Sequence, residues 1–480
     1  MDWTKKGSIL ILFFLLPTVL LASPVSELRP SETPAAQPSA DQKLAREIFQ
    51  ELIEINTTDS VGSTTKAAEA MAARLKAAGF PPADVQVLAP HPRKGNLVAR
   101  FRSSGGRKPV LLLAHLDVVE ARGEDWSFDP FRFIERDGYF YGRGTSDDKA
   151  MVAIWVANLI RYKQEGFQPD RDLIVCLTAD EETGNFNGVA WLLKHHRNLI
   201  DAEYCINEGG DGEIKNGKRI LIEVQASEKV YLSFRLEVKN PGGHSSLPVK
   251  DNAIYHLAEG LVRLAKYEFP VKLNDLTRTF FTRMSKIETG QVAADMKAVT
   301  QVPPAPSAVS RLARLPYYNA MMRTTCVATR LEAGHADNAL PQTARAVVNC
   351  RVLPGEPLEE IRQTLVRVLA NEKIVVSPIS GAGAGVASPP SPLKPEIIEP
   401  IEKTTAALWP GIPVIPQMST GASDGLYLRN VGIPTYGVSG LFIDINDIRA
   451  HGKDERIGVK EFYEGQEFLY RLVKALSSGN

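Results

Sequence analysis

The chain has 480 residues, 44% hydrophobic and 23% charged, an ordinary globular composition long enough for two or three domains. Lysine plus arginine equals aspartate plus glutamate at 56 each, so the net charge is zero. With no basic stripe interleaved with aromatics, the composition argues against a nucleic-acid binder and points to small molecules or peptides as partners.

Lys5 and Lys6 precede an apolar run from Ile9 to Ala22, which reads as a signal peptide over 1–22. Pro17 interrupts the run, and it falls short of the roughly 20 apolar residues of a membrane span. The expected location is therefore secreted or periplasmic, with no stable span after cleavage; an uncleaved anchor is the alternative. Residues 23–40 are rich in Pro, Ser and Ala and read as a flexible leader.

From 41 to 227 two periodicities alternate. Helical patterns appear at "QKLAREIFQELIEI", "TTKAAEAMAARLKAAG" and "KAMVAIWVANLIRYKQEG". Short unbroken apolar runs, "NLVARF", "PVLLLAH", "DLIVCLTAD" and "AEYCINE", read as strands buried on both faces. The fold class is α/β, a mixed and mostly parallel sheet with helices on both faces. From 228 to 386 the character changes: "KVYLSFRLEVK" alternates apolar and polar residues, as a half-exposed antiparallel strand does. A helix follows over 252–266, then a stretch from about 268 to 318 read as irregular. Strands at "RTTCVATRLEAG" and "ARAVVNCRVL" and a helix at "PLEEIRQTLVRVLA" complete an inserted α+β domain. Over 387–480 the α/β pattern returns and ends in the amphipathic "VKEFYEGQEFLYRLVKALS". The four cysteines, Cys176, Cys205, Cys326 and Cys350, lie in strand-like runs and are expected as buried free thiols.

Ligands of parallel sheets bind beyond the carboxyl ends of the strands. "PVLLLAHLD" ends on His115 and Asp117, "LIVCLTADEE" on Glu181 and Glu182, and "EYCINEGG" on Glu208. "GRGTSDDKA" places Asp147 and Asp148 at a helix start, and "IRAHGKDER" offers His451. Alone, each is an ordinary polar turn or cap. Together they deliver imidazoles and carboxylates to one sheet edge, a crowd of negative charge that cations must neutralise. Such mixed donors suit zinc, with manganese or cobalt as alternatives. His195 and His196 read as solvated surface, and His91, His256 and His335 lack a companion at ligand spacing.

The set His115-x-Asp117, "GRGTSDDK", "DEETG", Glu208, "NPGGHSS", Arg351 and "HGKDER" resembles the zinc exopeptidase and amidohydrolase family of glutamate carboxypeptidase, carnosinase, aminoacylase and succinyl-diaminopimelate desuccinylase. The resemblance runs from about residue 41 to the end. It implies a phosphorylase/hydrolase-like catalytic domain (41–227 and 387–480) with a ferredoxin-like lid (228–386). It implies two divalent metal ions per chain: Asp147 bridges them, His115 and Glu208 complete one site, and Glu182 and His451 complete the other. Glu181 is then the general acid/base, and Asp117 holds the tautomer of His115 through its other ring nitrogen. The peptide after the bridging aspartate is cis in the family. His244 of the lid would polarise the scissile carbonyl, Asn338 and Arg351 would bind substrate, and the loop "STGASDG" brings Gly421 and Ser423 near it. A homodimer through the lid belongs to the same expectation.

The function implied is a carboxypeptidase or dipeptidase acting on small substrates with a free C-terminal carboxylate. The alternative is an N-acyl-amino-acid amidohydrolase with the same machinery. A non-catalytic binding protein is a remote third, disfavoured by the intact Glu181 and ligand positions.

Overall fold

The computed structural model describes residues 37–379 and 385–478. The signal peptide expected over 1–22 and most of the leader expected over 23–40 lie outside them. Among the described residues no helix is long and apolar enough to cross a membrane.

The main sheet is ten-stranded and mixed, parallel through its centre. Arg107–His115 lies between Arg171–Thr178 and Tyr204–Asn207, parallel to both. Thr435–Gly437, from the far end of the sequence, continues the sheet parallel to Tyr204–Asn207. Beyond it come Lys218–Glu228, Gly212–Lys215 and Phe442–Asp444, while Val414–Ser419 pairs with Lys218–Glu228. Successive residues of the central strands go to different cores. Leu112, Ala114, Val175 and Leu177 join the large core with the helices Ala40–Glu54, Lys149–Gln164 and Val459–Leu476. Leu111, Leu113, Ile174 and Cys176 join a smaller core under Gly188–His195 and Gly425–Asn430. This period-two sorting explains why the strands read as unbroken apolar runs.

The chain leaves this sheet at Glu228 and enters a separate antiparallel one. Val230–Lys239, Ala253–Ala265, Thr325–Ala333, Thr343–Val352, Leu358–Leu369 and Val375–Ile379 follow as strand, helix, two strands, helix and strand. The sheet order is Thr325–Ala333, Thr343–Val352, Val230–Lys239, Val375–Ile379, the arrangement of a ferredoxin-like unit with its own apolar core. Val230–Lys239 alternates buried and exposed side chains along much of its length, as its sequence pattern requires.

The stretch 268–318, read from the sequence as irregular, is largely helical. It holds Asp275–Met284, Gly290–Val299 and Pro306–Leu312, with Pro316–Met322 starting at its end. Asn274 caps the first in a capping box with Thr277, and Pro306 and Pro316 occupy first-turn positions, where a missing N–H costs nothing. Phe280, Phe281, Met296, Leu312 and Met321 pack into the core of the main sheet rather than that of the small one. These helices are short, and their apolar residues meet a partner only in the fold.

The cysteines divide. Cys176 and Cys205 are buried free thiols as expected, but Cys326 and Cys350 form a disulfide. The expectation of four free thiols fails for this pair because Thr325–Ala333 and Thr343–Val352 are antiparallel neighbours and set Cys326 directly opposite Cys350.

Candidate metal centre

The three adjacent acids of "DEE" point to three different tasks. Asp180 turns the chain in a left-handed conformation (φ 58°) just past the strand Arg171–Thr178. Its buried carboxylate lies 2.5 Å from Lys94 Nζ and accepts the N–H of Phe186 at 3.0 Å. Glu182 Oε1 is 2.7 Å from His451 Nε2. Glu181 lies between them in sequence, with burial and the charge of Glu208 holding its carboxyl well above the usual range.

Parallel pairing sets His115 level with Thr178, so the ends of these two strands share one sheet edge. Tyr204–Asn207 brings Glu208 to the same edge. Asp147 and Asp148 come from the loop before helix Lys149–Gln164, joined by a cis peptide bond. The two oxygens of Asp147 face two histidines: Oδ1 is 2.9 Å from His115 Nε2, and Oδ2 is 3.1 Å from His451 Nε2. Glu208 Oε2 approaches His115 Nε2 to 3.9 Å. Two groups have ligand atoms all within 4.8 Å of one another: His115, Asp147 and Glu182, and His115, Asp148 and Glu208. All five expected ligand positions therefore converge, and Asp148 joins them.

The electrostatics are those of a cation site. Burial raises the carboxyls of Glu208 and Asp148 well above their ordinary range and that of Asp117 to about 6. Burial acts on Asp147 in the same direction, yet hydrogen bonds from His115 and His451 outweigh it and hold its carboxyl low. Hydrogen bonds to Asp147 and Glu182 push His451 up to about 10. Burial opposes a charge on His115, but Asp147 and Glu208 reverse the balance and raise it well above ordinary imidazole. Imidazole and carboxylate donors converging at this separation fit divalent metal ions.

Asp117 departs from its expected contact. His115 Nδ1 is held at 2.9 Å by the backbone carbonyl of Asp117, while the Asp117 carboxylate stands 3.7 Å away. That carboxylate instead accepts the N–H groups of Glu181 at 3.1 Å and Glu182 at 3.0 Å. The tautomer is thus set by a peptide oxygen, and the side chain fixes the turn that carries both glutamates.

Two supporting residues escaped the sequence reading. Glu455 accepts the N–H of Ser146 at 2.8 Å and of Asp147 at 3.2 Å, and pairs with buried Arg143 at 2.6 Å. Asp424, three residues past the expected Gly421, accepts Asn187 Nδ2 at 2.6 Å and Thr178 Oγ1 at 3.2 Å. "HGKDER" and "STGASDG" contain them, so their motifs were in view, but the distant partners were not.

The remaining expected site residues form no hydrogen bond or ion pair with the cluster among the described residues. His244 pairs with Ala339 across a two-residue ladder, and Ser245 N donates to Asn338 O at 3.0 Å, so His244 and Asn338 share one exposed loop pair. Arg351 lies on the small sheet with its guanidinium 4.8 Å from the centre of the Tyr231 ring, and it forms no ion pair with another described residue. Gly421 N donates to Ser419 Oγ at 3.0 Å. Ser423 is buried, its hydroxyl donated to Glu228 Oε2 at 2.7 Å.

Residues 111–475 match the profile of peptidase family M20/M25/M40, and the chain belongs to this family of hydrolases acting on peptide and related amide bonds. Over 376 residues it is 29% identical to the human N-fatty-acyl-amino acid synthase/hydrolase PM20D1, covering 76% of this chain and 74% of that one. Its fold is similar to that of an M20 metallo-carboxypeptidase from Sulfolobus solfataricus, with TM-score 0.67, 17% identity and coverage of 90% of this chain and 99% of the other. It is also similar to the Bacillus subtilis YXEP protein, a dinuclear metal-binding peptidase of the M20 family, with TM-score 0.56, 12% identity and coverage of 91% and 98%.

Proposed function

We propose that the protein is an exported di-metal hydrolase that cleaves the amide bond of small peptides bearing a free C-terminal carboxylate, as a carboxypeptidase or dipeptidase. The observation that carries this reading is the Asp147 carboxylate, one oxygen toward His115 and the other toward His451. That is the disposition of a bridging ligand. His115 and Glu208 would complete one site, and Glu182 and His451 the other; zinc is the metal the donor set favours. Such ions would supply Lewis acidity for the scissile carbonyl and a more acidic attacking water.

The chain's own groups do the rest. Glu181, half-buried at the cluster, takes the proton of the attacking water and passes it to the leaving amine. Asp117 positions it through the backbone hydrogen bond at 3.1 Å. His244 donates to the developing oxyanion when the small sheet closes as a lid. Arg351 receives the substrate carboxylate with Asn338, and the loop of Gly421 and Ser423 borders the same substrate. A guanidinium without an internal ion pair supports that role, because its donors stay available to a ligand. The signal peptide and a homodimer through the small sheet remain part of the reading.

One observation favours a second reading: the human relative is named for N-fatty-acyl-amino acids. An N-acyl-amino-acid amidohydrolase would use the same residues on an acyl group. Enzyme loaded with zinc, manganese or cobalt should be assayed on Ala-Ala and on N-acetyl-Ala. Faster cleavage of Ala-Ala supports the peptidase, the reverse the amidohydrolase, and cleavage of neither the non-catalytic binder.

A further inference from the structure

Beside the cluster lies a cavity of about 300 Å³, with Asp147, Asp148 and Glu208 in its wall. Part of the remaining lining is aliphatic, from Leu441, Ile443 and Ile445, and part acidic, from Asp211, Glu213 and Glu223. Register explains the mixture. Glu213 stands opposite Leu221 on one neighbouring strand and opposite Ile443 on the other, so acids and aliphatic residues alternate across one sheet face.

These three half-buried acids differ in their partners from three deeply buried carboxylates of the molecule. Asp180 is matched by Lys94, Glu228 by Arg429 and Glu455 by Arg143. Among the described residues no lysine or arginine forms an ion pair with Asp211, Glu213 or Glu223. Two of them face hydroxyls: Ser439 Oγ donates to Asp211 at 2.6 Å, and the Tyr317 hydroxyl lies against Glu223. Burial pushes the carboxyl of Asp211 up to about 6 and that of Glu223 up to about 8. Acids held this high favour a ligand that brings its own positive charge. A bare metal ion does not suit the aliphatic wall, which offers it no donor.

We propose that this cavity receives the acyl-side group of the substrate and selects an aliphatic chain ending in a protonated amine. The methylenes lie against Leu441, Ile443 and Ile445, and the ammonium meets Asp211, Glu213 and Glu223. Asn338 and Arg351, assigned to the substrate carboxylate, do not line the cavity, which leaves it to the opposite side of the scissile bond. This assignment rests on the hydrolase reading above.

The test compares 6-aminohexanoyl-alanine with heptanoyl-alanine, which match in chain length and leaving group. Wild-type metal-loaded enzyme should prefer the amine in kcat/KM by about tenfold or more, the effect of one good hydrogen bond between charged groups. Glu223→Gln and, separately, Glu213→Gln should collapse that ratio toward one. A wild-type ratio of one, or a preference for heptanoyl-alanine, overturns the proposal. Calorimetry with pentylamine and 1-pentanol reads the cavity without turnover. Pentylamine should bind more tightly, and Glu223→Gln should remove the difference. Equal binding of the two overturns the proposal even where neither amide is cleaved. Selective pentylamine binding without cleavage of either amide, or of Ala-Ala, supports the cavity and overturns the hydrolase reading instead.

Discussion

Lys94 Nζ lies 2.5 Å from Asp180 Oδ1, with both side chains buried. The pair connects the loop before strand Asn96–Phe101 to the turn that carries Glu181 and Glu182. Lys94 also reaches Asp59 at 2.5 Å, so one ammonium ties three segments together. Lys94→Met would leave Asp180 buried and unpaired, at a cost of about 3 kcal/mol. Denaturant unfolding should show this loss, and Lys94→Met with Asp180→Asn should recover part of it. Unchanged stability in the single variant would mean that water reaches Asp180.

Metal analysis tests the shared position of Asp147. Wild-type protein should carry two divalent ions per chain. His115→Ala and His451→Ala should each lower the content by about one ion, whereas Asp147→Ala should disturb both sites. Wild-type protein with only a trace of metal after gentle purification would refute the di-metal reading.

Glu181 and Glu182 are neighbours with different surroundings. Glu181→Gln should keep the metal and lose roughly 10²–10⁴-fold in kcat, the usual contribution of a general acid/base. Glu182→Gln should lose metal instead, since its carboxylate faces His451 at 2.7 Å. Identical behaviour of the two variants would show that the roles are misassigned.

The carboxylate clamp is tested by substrates rather than by metal. Ala-Ala-amide should be a far poorer substrate than Ala-Ala, and Arg351→Lys should raise KM for Ala-Ala much more than it lowers kcat. Equal kcat/KM for Ala-Ala and its amide would exclude a clamp and favour an aminopeptidase.

The Cys326–Cys350 bridge closes a sequence separation of 24 residues. Its removal by a double Cys→Ser substitution should cost about 2–4 kcal/mol of stability, the usual range for such a loop. Mass spectrometry of the non-reduced protein should find Cys326 and Cys350 linked and Cys176 and Cys205 free. Four free thiols would contradict the bridge.

Much of the fold was legible in the sequence because it depends on local period. Unbroken runs such as "PVLLLAH" belong to strands covered on both faces, and the alternation of "KVYLSFRLEVK" belongs to a strand covered mainly on one. The convergence of candidate ligands was legible for a related reason. Parallel strands end at a common edge, so His115, Glu181, Glu182 and Glu208 could be brought together from position, with Asp147, Asp148 and His451 offered by two loops; the family resemblance supplied the role expected of each. What depends on long-range pairing was not legible. Lys94 meets Asp180 across 86 residues and Glu455 meets Asp147 across 308, and no local pattern records such a partner. The same holds for Cys326 opposite Cys350, which register alone determines, and for the helices of 268–318, whose short apolar faces match the core of the main sheet. The choice between the carbonyl and the carboxylate of Asp117 as the partner of His115 was decided by the local turn, which sets them at 2.9 Å and 3.7 Å. Sequence determined which chemical groups reach the edge of the sheet; tertiary structure decided which of their atoms face one another, because hydrogen bonds and ion pairs depend on distances that only the packed chain sets.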